Sequence, residues 1–128
     1  EAVPIQDETI AHSIGGDIST TQGLRTLRAS NGEAVPVSNK EIVAMQHRLA
    51  ATEGIYLEPT SATALVAVEQ LAARDVIKPE HVVVVVATSS GLKDPAAVMN
   101  QLPDIPVLQP DSKILQRTLH DVYNVDIA

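Results

Sequence analysis

Five consecutive valines, Val82 to Val86, run into Ala87-Thr88-Ser89-Ser90-Gly91 and then into Leu92-Lys93-Asp94-Pro95. No other stretch limits the fold as tightly. β-Branched side chains are stiff and sit best on a pleated strand. A run with no polar alternation predicts a strand covered on both faces, the situation of a central strand in a parallel sheet. The small hydroxyl residues end that strand. Asp94 as cap and Pro95 at the first position then open a helix.

The rest of the chain supplies partners for such a unit. Asp7 is placed to cap a short helix through His12, stopping near Gly15-Gly16. Ser19 to Gln22 has capping-box spacing and opens a helix that turns Leu24 and Leu27 inward and ends at Ser30-Asn31-Gly32. Ala34 to Val37 reads as a short edge strand because of Pro36. A second capping box, Ser38 with Glu41, starts a helix carrying Ile42, Met45 and Leu49 at helical spacing and closed by Gly54. Ile55 to Leu57 is a brief strand ending at Glu58-Pro59. Thr60 or Ser61 begins a helix so rich in small apolar residues that it is expected to be buried on most sides. Ile105 to Leu108 reads as a last strand, and Asp111 caps a helix to about Tyr123. The order α, α, β, α, β, α, β, α predicts the α/β class, a three-layer parallel sheet flanked by helices. With no Phe, Trp or Cys, the core has to be built from Val, Ile, Leu and Ala.

Composition excludes several functions. A net charge of −7 offers nothing to draw phosphates by bulk attraction, so no nucleic-acid or membrane-surface partner is expected. Without cysteine there is no disulfide framework, thiolate nucleophile or Cys-based zinc site, and a cytoplasmic setting is the default. The four histidines, His12, His47, His81 and His120, have no metal-ligand spacing. Gly15-Gly16-Asp17 follows no strand and is not a dinucleotide loop; no P-loop or nucleophile elbow occurs. No apolar run approaches membrane-spanning length, and the first ten residues do not form a signal peptide.

Two places could carry chemistry. In open α/β sheets, ligands bind beyond the carboxyl ends of the strands, and Thr88 and Ser89 stand at that end of the most apolar strand. They read either as hydrogen-bonding residues of a small-ligand site or as a capped turn. Glu58 follows an apolar strand and precedes a helix, so it should be partly buried. It reads either as a functional carboxylate or as a structural one serving the helix behind it. Lys93, in the first turn after a strand, reads as solvated rather than as a Schiff-base lysine.

Three stretches carry a family resemblance, two of them through motifs and the third, DETIAHSIGGD with QGLRTLRASNGEAVPVSNKEI, through its order of elements. EGIYLEPTSATALVAVEQL, Glu53 to Leu71, is similar to the Glu-Gly-Ile-x-x-Glu-Pro segment of pyridoxal-phosphate enzymes of the tryptophan-synthase-β fold type (fold type II). VVVVVATSSGLKDP resembles the strand and Thr-Gly-His-Gly-Leu-Lys-Asp-Pro turn of the threonine synthases within that group. The helices and strand before them also fit, so the resemblance spans Val3 to about Pro95, while residues 96–128 carry no placed motif. It implies that Thr88 bonds the pyridine nitrogen of pyridoxal 5'-phosphate, with Ser89 beside it and the Glu58 segment near the ring edge. The parent reaction it implies converts O-phospho-L-homoserine and water to L-threonine and phosphate. This chain has Ser90 where the family often has His, so the contacts at the turn differ. The family's Schiff-base lysine and phosphate-cradling loop lie upstream of these motifs, and none of Lys40, Lys78, Lys93 and Lys113 falls at the matching place. The implied reading of residues 1–128 is the C-terminal portion of the large domain, inactive alone. It would be partnered by the N-terminal part of the same enzyme, by an amino-acid substrate and by further copies in a homo-oligomer. The alternatives are a threonine or serine dehydratase, a related synthase, a stand-alone α/β binding module, and a paralogue that has lost catalysis.

Overall fold

The computed structural model describes residues 8–16, 18–99 and 105–127. Among these residues five α-helices follow in order: α1 (Thr21–Ala29), α2 (Asn39–Glu53), α3 (Pro59–Ala73), α4 (Ala96–Met99) and α5 (Ser112–Tyr123), with a 3-10 turn at Gly91–Lys93 between α3 and α4.

The helix boundaries follow local chemistry. Ser38 Oγ accepts from Glu41 N–H while the Glu41 carboxylate accepts from Ser38 N–H, so the expected capping box of α2 is complete. Gly54 ends α2 at φ 67°, a left-handed conformation that favours glycine. Asp111 caps α5, accepting from Lys113 N–H and Ile114 N–H, and Asn124 closes it at φ 52°. α1 begins one residue later than the Ser19 box predicts, because the Thr20 hydroxyl accepts from Gly23 N–H. Glu58 takes the cap position of α3 and Pro59 the first helical one, slightly ahead of Thr60. At α4 the Pro95 carbonyl accepts from Met99 N–H, so Pro95 lies just outside the helix rather than at its first position.

α2 and α3 pack against each other and hold the core. Ile42 and Met45 of α2 meet Ala62 and Val66 of α3, and Ala11 closes the cluster from the N-terminal side. The Asn39 side chain clasps that N-terminal segment, accepting from Ile10 N–H at 3.1 Å and donating to the Glu8 carbonyl at 2.9 Å. Arg48 pairs with Glu69 across the helix interface. The described part of the expected first helix, up to His12, is a turn instead, closed by Ile14 N–H on the Ala11 carbonyl; its cap Asp7 lies outside the described residues, as does Asp17.

The sheet is where expectation and structure part. Among the described residues there is no strand at Ala34–Val37, Ile55–Leu57, Val82–Val86 or Ile105–Leu108; one isolated antiparallel bridge joins Leu57 and Ser90. The valines are bare: Val82 is 93% exposed, Val84 84% and Val86 72%. A strand exists only as half of a pair, since its N–H and C=O groups need a neighbour. No described segment lies along Val82–Val86, so valine's extended preference finds no ladder. For the same reason α3 is only partly buried, with Leu65, Val68 and Leu71 half-buried. α1 buries none of its residues, and Leu24, expected inside, is exposed.

Candidate functional site

The two motif stretches of the family resemblance meet in space. Tyr56–Ser61, leading into α3, lies against Thr88–Gly91. Glu58 N–H donates to the Ser89 carbonyl at 3.1 Å, and Gly91 N–H donates to the Tyr56 carbonyl at 2.9 Å. These two bonds form the antiparallel bridge between Leu57 and Ser90. Gly91 is buried because the Tyr56 ring lies on it; a Cβ there would come within 2.4 Å of Tyr56 Cε1. Any larger residue would push the ring away, which gives this glycine a steric reason.

Side chains extend the clamp. Ser61, 3% exposed, accepts from Ser89 N–H at 3.1 Å, and its Oγ lies 2.7 Å from Thr88 Oγ1. Thr88 itself is exposed and Ser89 half-buried. Ser90 Oγ accepts from Leu92 N–H and starts the 3-10 turn. That turn carries Lys93 to within 3.6 Å of the Glu58 carboxylate.

Glu58 is 7% exposed and makes no side-chain cap to its own helix. A buried carboxylate needs a compensating partner, and here Lys93 provides it. The lysine side chain stays mostly in solvent, as its position predicts, but one end of it neutralises a buried acid. All three sequence-chosen residues, Thr88, Ser89 and Glu58, therefore fall in one small patch.

Two further members of this patch have no individual role in the sequence reading. Ser61 stands there as a helix start within the Glu58 to Ala62 segment that the resemblance sets near the ring edge. Gln46 is wholly buried, and its Nε2 donates to the Leu57 carbonyl at 2.7 Å, steadying the residue just before Glu58. Its signal was present: Gln46 occupies the i+4 place after Ile42, a polar residue on the apolar stripe of α2. Its Oε1 has no partner among the described residues.

A cleft of about 520 Å³ lies elsewhere, lined by Ile14, Gly16, Val35, Ile42, Ala64 and Ala67 among others. None of Thr88, Ser89 and Glu58 lines it. Its walls are aliphatic groups, backbone and threonine hydroxyls, with no charged side chain among them.

A family model described as pyridoxal-phosphate dependent enzyme matches residues 1–89, ending at the second residue of the hydroxyl cluster. The chain belongs to that family. Curated proteins it is similar to include threonine synthases. The one from Methanocaldococcus jannaschii is 32% identical over 117 residues, covering 90% of this chain and 29% of that protein. The Methanosarcina acetivorans threonine synthase is 38% identical over 95 residues, covering 73% of this chain and 24% of that protein. The Halalkalibacterium halodurans threonine synthase is 34% identical over 110 residues, covering 84% of this chain and 31% of that protein. The chain thus spans between 24% and 31% of the length of these three relatives. A match over 90% of this pyridoxal-phosphate family member also runs past Pro95 into the tail, where no motif was legible.

Proposed function

We propose that the chain is the C-terminal portion of the large domain of a threonine synthase-like enzyme, which converts O-phospho-L-homoserine and water to L-threonine and phosphate. The observation that carries this reading is the clamp: the two motif stretches are tied together by the chain's own hydrogen bonds, leaving the Thr88 hydroxyl at an exposed position backed by a buried serine.

Pyridoxal phosphate, when bound, supplies an electron sink for bonds at the substrate's amino-bearing carbon. The donor set fits that group. A neutral hydroxyl suits an unprotonated ring nitrogen, whereas a carboxylate there would hold the nitrogen protonated. The neutral partner makes a milder sink and favours elimination and replacement over transamination. In this reading Thr88 holds the ring nitrogen, Ser89 secures the turn beneath it, and the start of α3 borders the ring edge. Lys93 neutralises Glu58, so the carboxylate can stay buried beside the site without a counter-charge from the ligand. The Schiff-base lysine and the phosphate loop belong to another part of the same enzyme, as does the sheet that would cover Val82–Val86. This portion alone is then inactive, and the setting is cytoplasmic and homo-oligomeric.

The test uses the full-length protein loaded with pyridoxal phosphate. Release of inorganic phosphate and L-threonine from O-phospho-L-homoserine is expected, with little deamination of threonine or serine. Formation of 2-oxo acid and ammonia from threonine or serine, with phosphohomoserine untouched, would replace the synthase by a dehydratase.

A further inference from the structure

We infer that Ser61 aims the Thr88 hydroxyl: it donates its own proton to Thr88 Oγ1, which turns the Thr88 proton outward toward the ligand. This makes Ser61 a positioning residue that acts through Thr88, and it rests on the reading of Thr88 as partner of the ring nitrogen.

The direction of the Ser61–Thr88 bond follows from burial. Ser61 Oγ has two partners among the described residues, Ser89 N–H at 3.1 Å and Thr88 Oγ1 at 2.7 Å. The amide can only donate, so it uses a lone pair of Ser61 and leaves the Ser61 proton in need of an acceptor. A helical serine commonly returns its proton to the carbonyl four residues back. That carbonyl, Leu57, is engaged by Gln46 Nε2 at 2.7 Å, and Ser61 makes no bond to it. Thr88 Oγ1 is therefore the acceptor. The opposite orientation would spend the Thr88 proton on Ser61 and leave the Ser61 proton unpaired on a residue that is 3% exposed, whereas with Ser61 donating the proton of exposed Thr88 still has solvent or ligand to meet.

The result is a one-way relay from Ser89 N–H through Ser61 O–H to Thr88 O–H. Each bond polarises the next, so the terminal hydroxyl is a better donor than an isolated threonine. With one lone pair taken by Ser61 and its own proton free, Thr88 is set to donate, which favours an unprotonated nitrogen.

The test is made in the full-length protein, stripped of cofactor and titrated with pyridoxal phosphate labelled with 15N at the ring nitrogen. Two readouts are taken, the cofactor dissociation constant and the ring 15N resonance. Thr88→Val is expected to shift the resonance toward that of a nitrogen without a donor and to weaken binding roughly 3–10-fold, as for loss of one hydrogen bond. Ser61→Ala should move both readouts the same way by a smaller amount, and Ser61→Thr should restore them. Ser61→Cys, close in size and a weak donor, should fall between and serves if the alanine variant does not fold. Adding Ser61→Ala to Thr88→Val should change neither readout further, because the relay then has no end. The inference fails if Ser61→Ala weakens binding equally in both backgrounds or leaves the 15N resonance where it was, since a merely structural serine would do that. If Thr88→Val alone leaves both readouts unchanged, the reading of Thr88 itself is wrong, a result distinct from failure at Ser61.

Discussion

The α2–α3 pair and the valine segment are both strongly apolar, yet one is packed and the other lies bare. Ile42, Met45, Ala62 and Val66 find each other within a span the chain itself supplies. Val82, Val84 and Val86 have no such cover and stand largely in solvent. The difference is one of partners rather than of hydrophobicity. A helix satisfies its own backbone and needs only one apolar stripe covered. A strand needs a neighbour for its backbone and, when wholly apolar, a layer on each face. α1 and α5 stand between these cases: well-capped helices that bury none of their residues.

The largest expected effect tests that contrast directly. Ile42→Ala should cost about 2–5 kcal/mol in chemical denaturation, wherever it is measured, because Ile42 is 1% exposed within the core cluster. Val84→Ala should change the stability of the 128-residue chain by less than about 0.5 kcal/mol, as for an exposed site. In the full-length protein the same change should cost about 2 kcal/mol, the value of a buried valine. Equal costs for Val84→Ala in the two forms would break the comparison and remove the covering sheet from the proposal.

A second prediction concerns the place where the bare segment is anchored to the packed pair. Gly91→Ala should cost about 1–3 kcal/mol, since the new Cβ would meet the Tyr56 ring and loosen the Leu57–Ser90 bridge. Gly91→Ala paired with Tyr56→Ala should recover part of that loss. No recovery would mean that the ring is not what excludes a side chain at this position.

These contrasts explain what the sequence makes legible. Capping residues act over three or four positions, so Ser38, Glu41, Gly54, Asp111 and the start of α3 could be read almost to the residue. The family-like motifs located Thr88, Ser89 and Glu58, and these converge. What could not be read depends on distant partners. The strands lack neighbours among the described residues, and Leu24 lies exposed there. Ser61 and Gln46 gain their meaning only from where Thr88 and Leu57 happen to lie, 27 and 11 residues away.

Within the packed pair, the two ends of α2 should differ in size of effect. Gly54→Ala forces a Cβ into a left-handed conformation at φ 67°, for about 1–2 kcal/mol. No side chain crowds that position, so the whole cost is backbone strain and Gly54→Asn should recover much of it. A loss just as large with asparagine would point to a contact that the open space around Gly54 does not provide.

The smallest effect lies at the other end of α2 and is visible through pH. The Ser38 hydroxyl, then the Ser38 N–H, then the Gln70 amide hold the Glu41 carboxyl below its ordinary range. A carboxyl whose folded value is depressed binds fewer protons folded than unfolded. Its contribution is therefore complete above the unfolded value, and it is lost as pH falls through the folded one. Denaturation midpoints measured between pH 7 and pH 3 should fall more steeply for the wild type than for Glu41→Gln. Ser38→Ala should cost about 1 kcal/mol at neutral pH as a lost cap and should also flatten the acid limb, because it removes the largest cause of the shift. Gln70→Ala should flatten it less. An acid limb of unchanged slope in Ser38→Ala would mean that Glu41 is held by something other than the capping box, and the packed end of the comparison would lose its most local support.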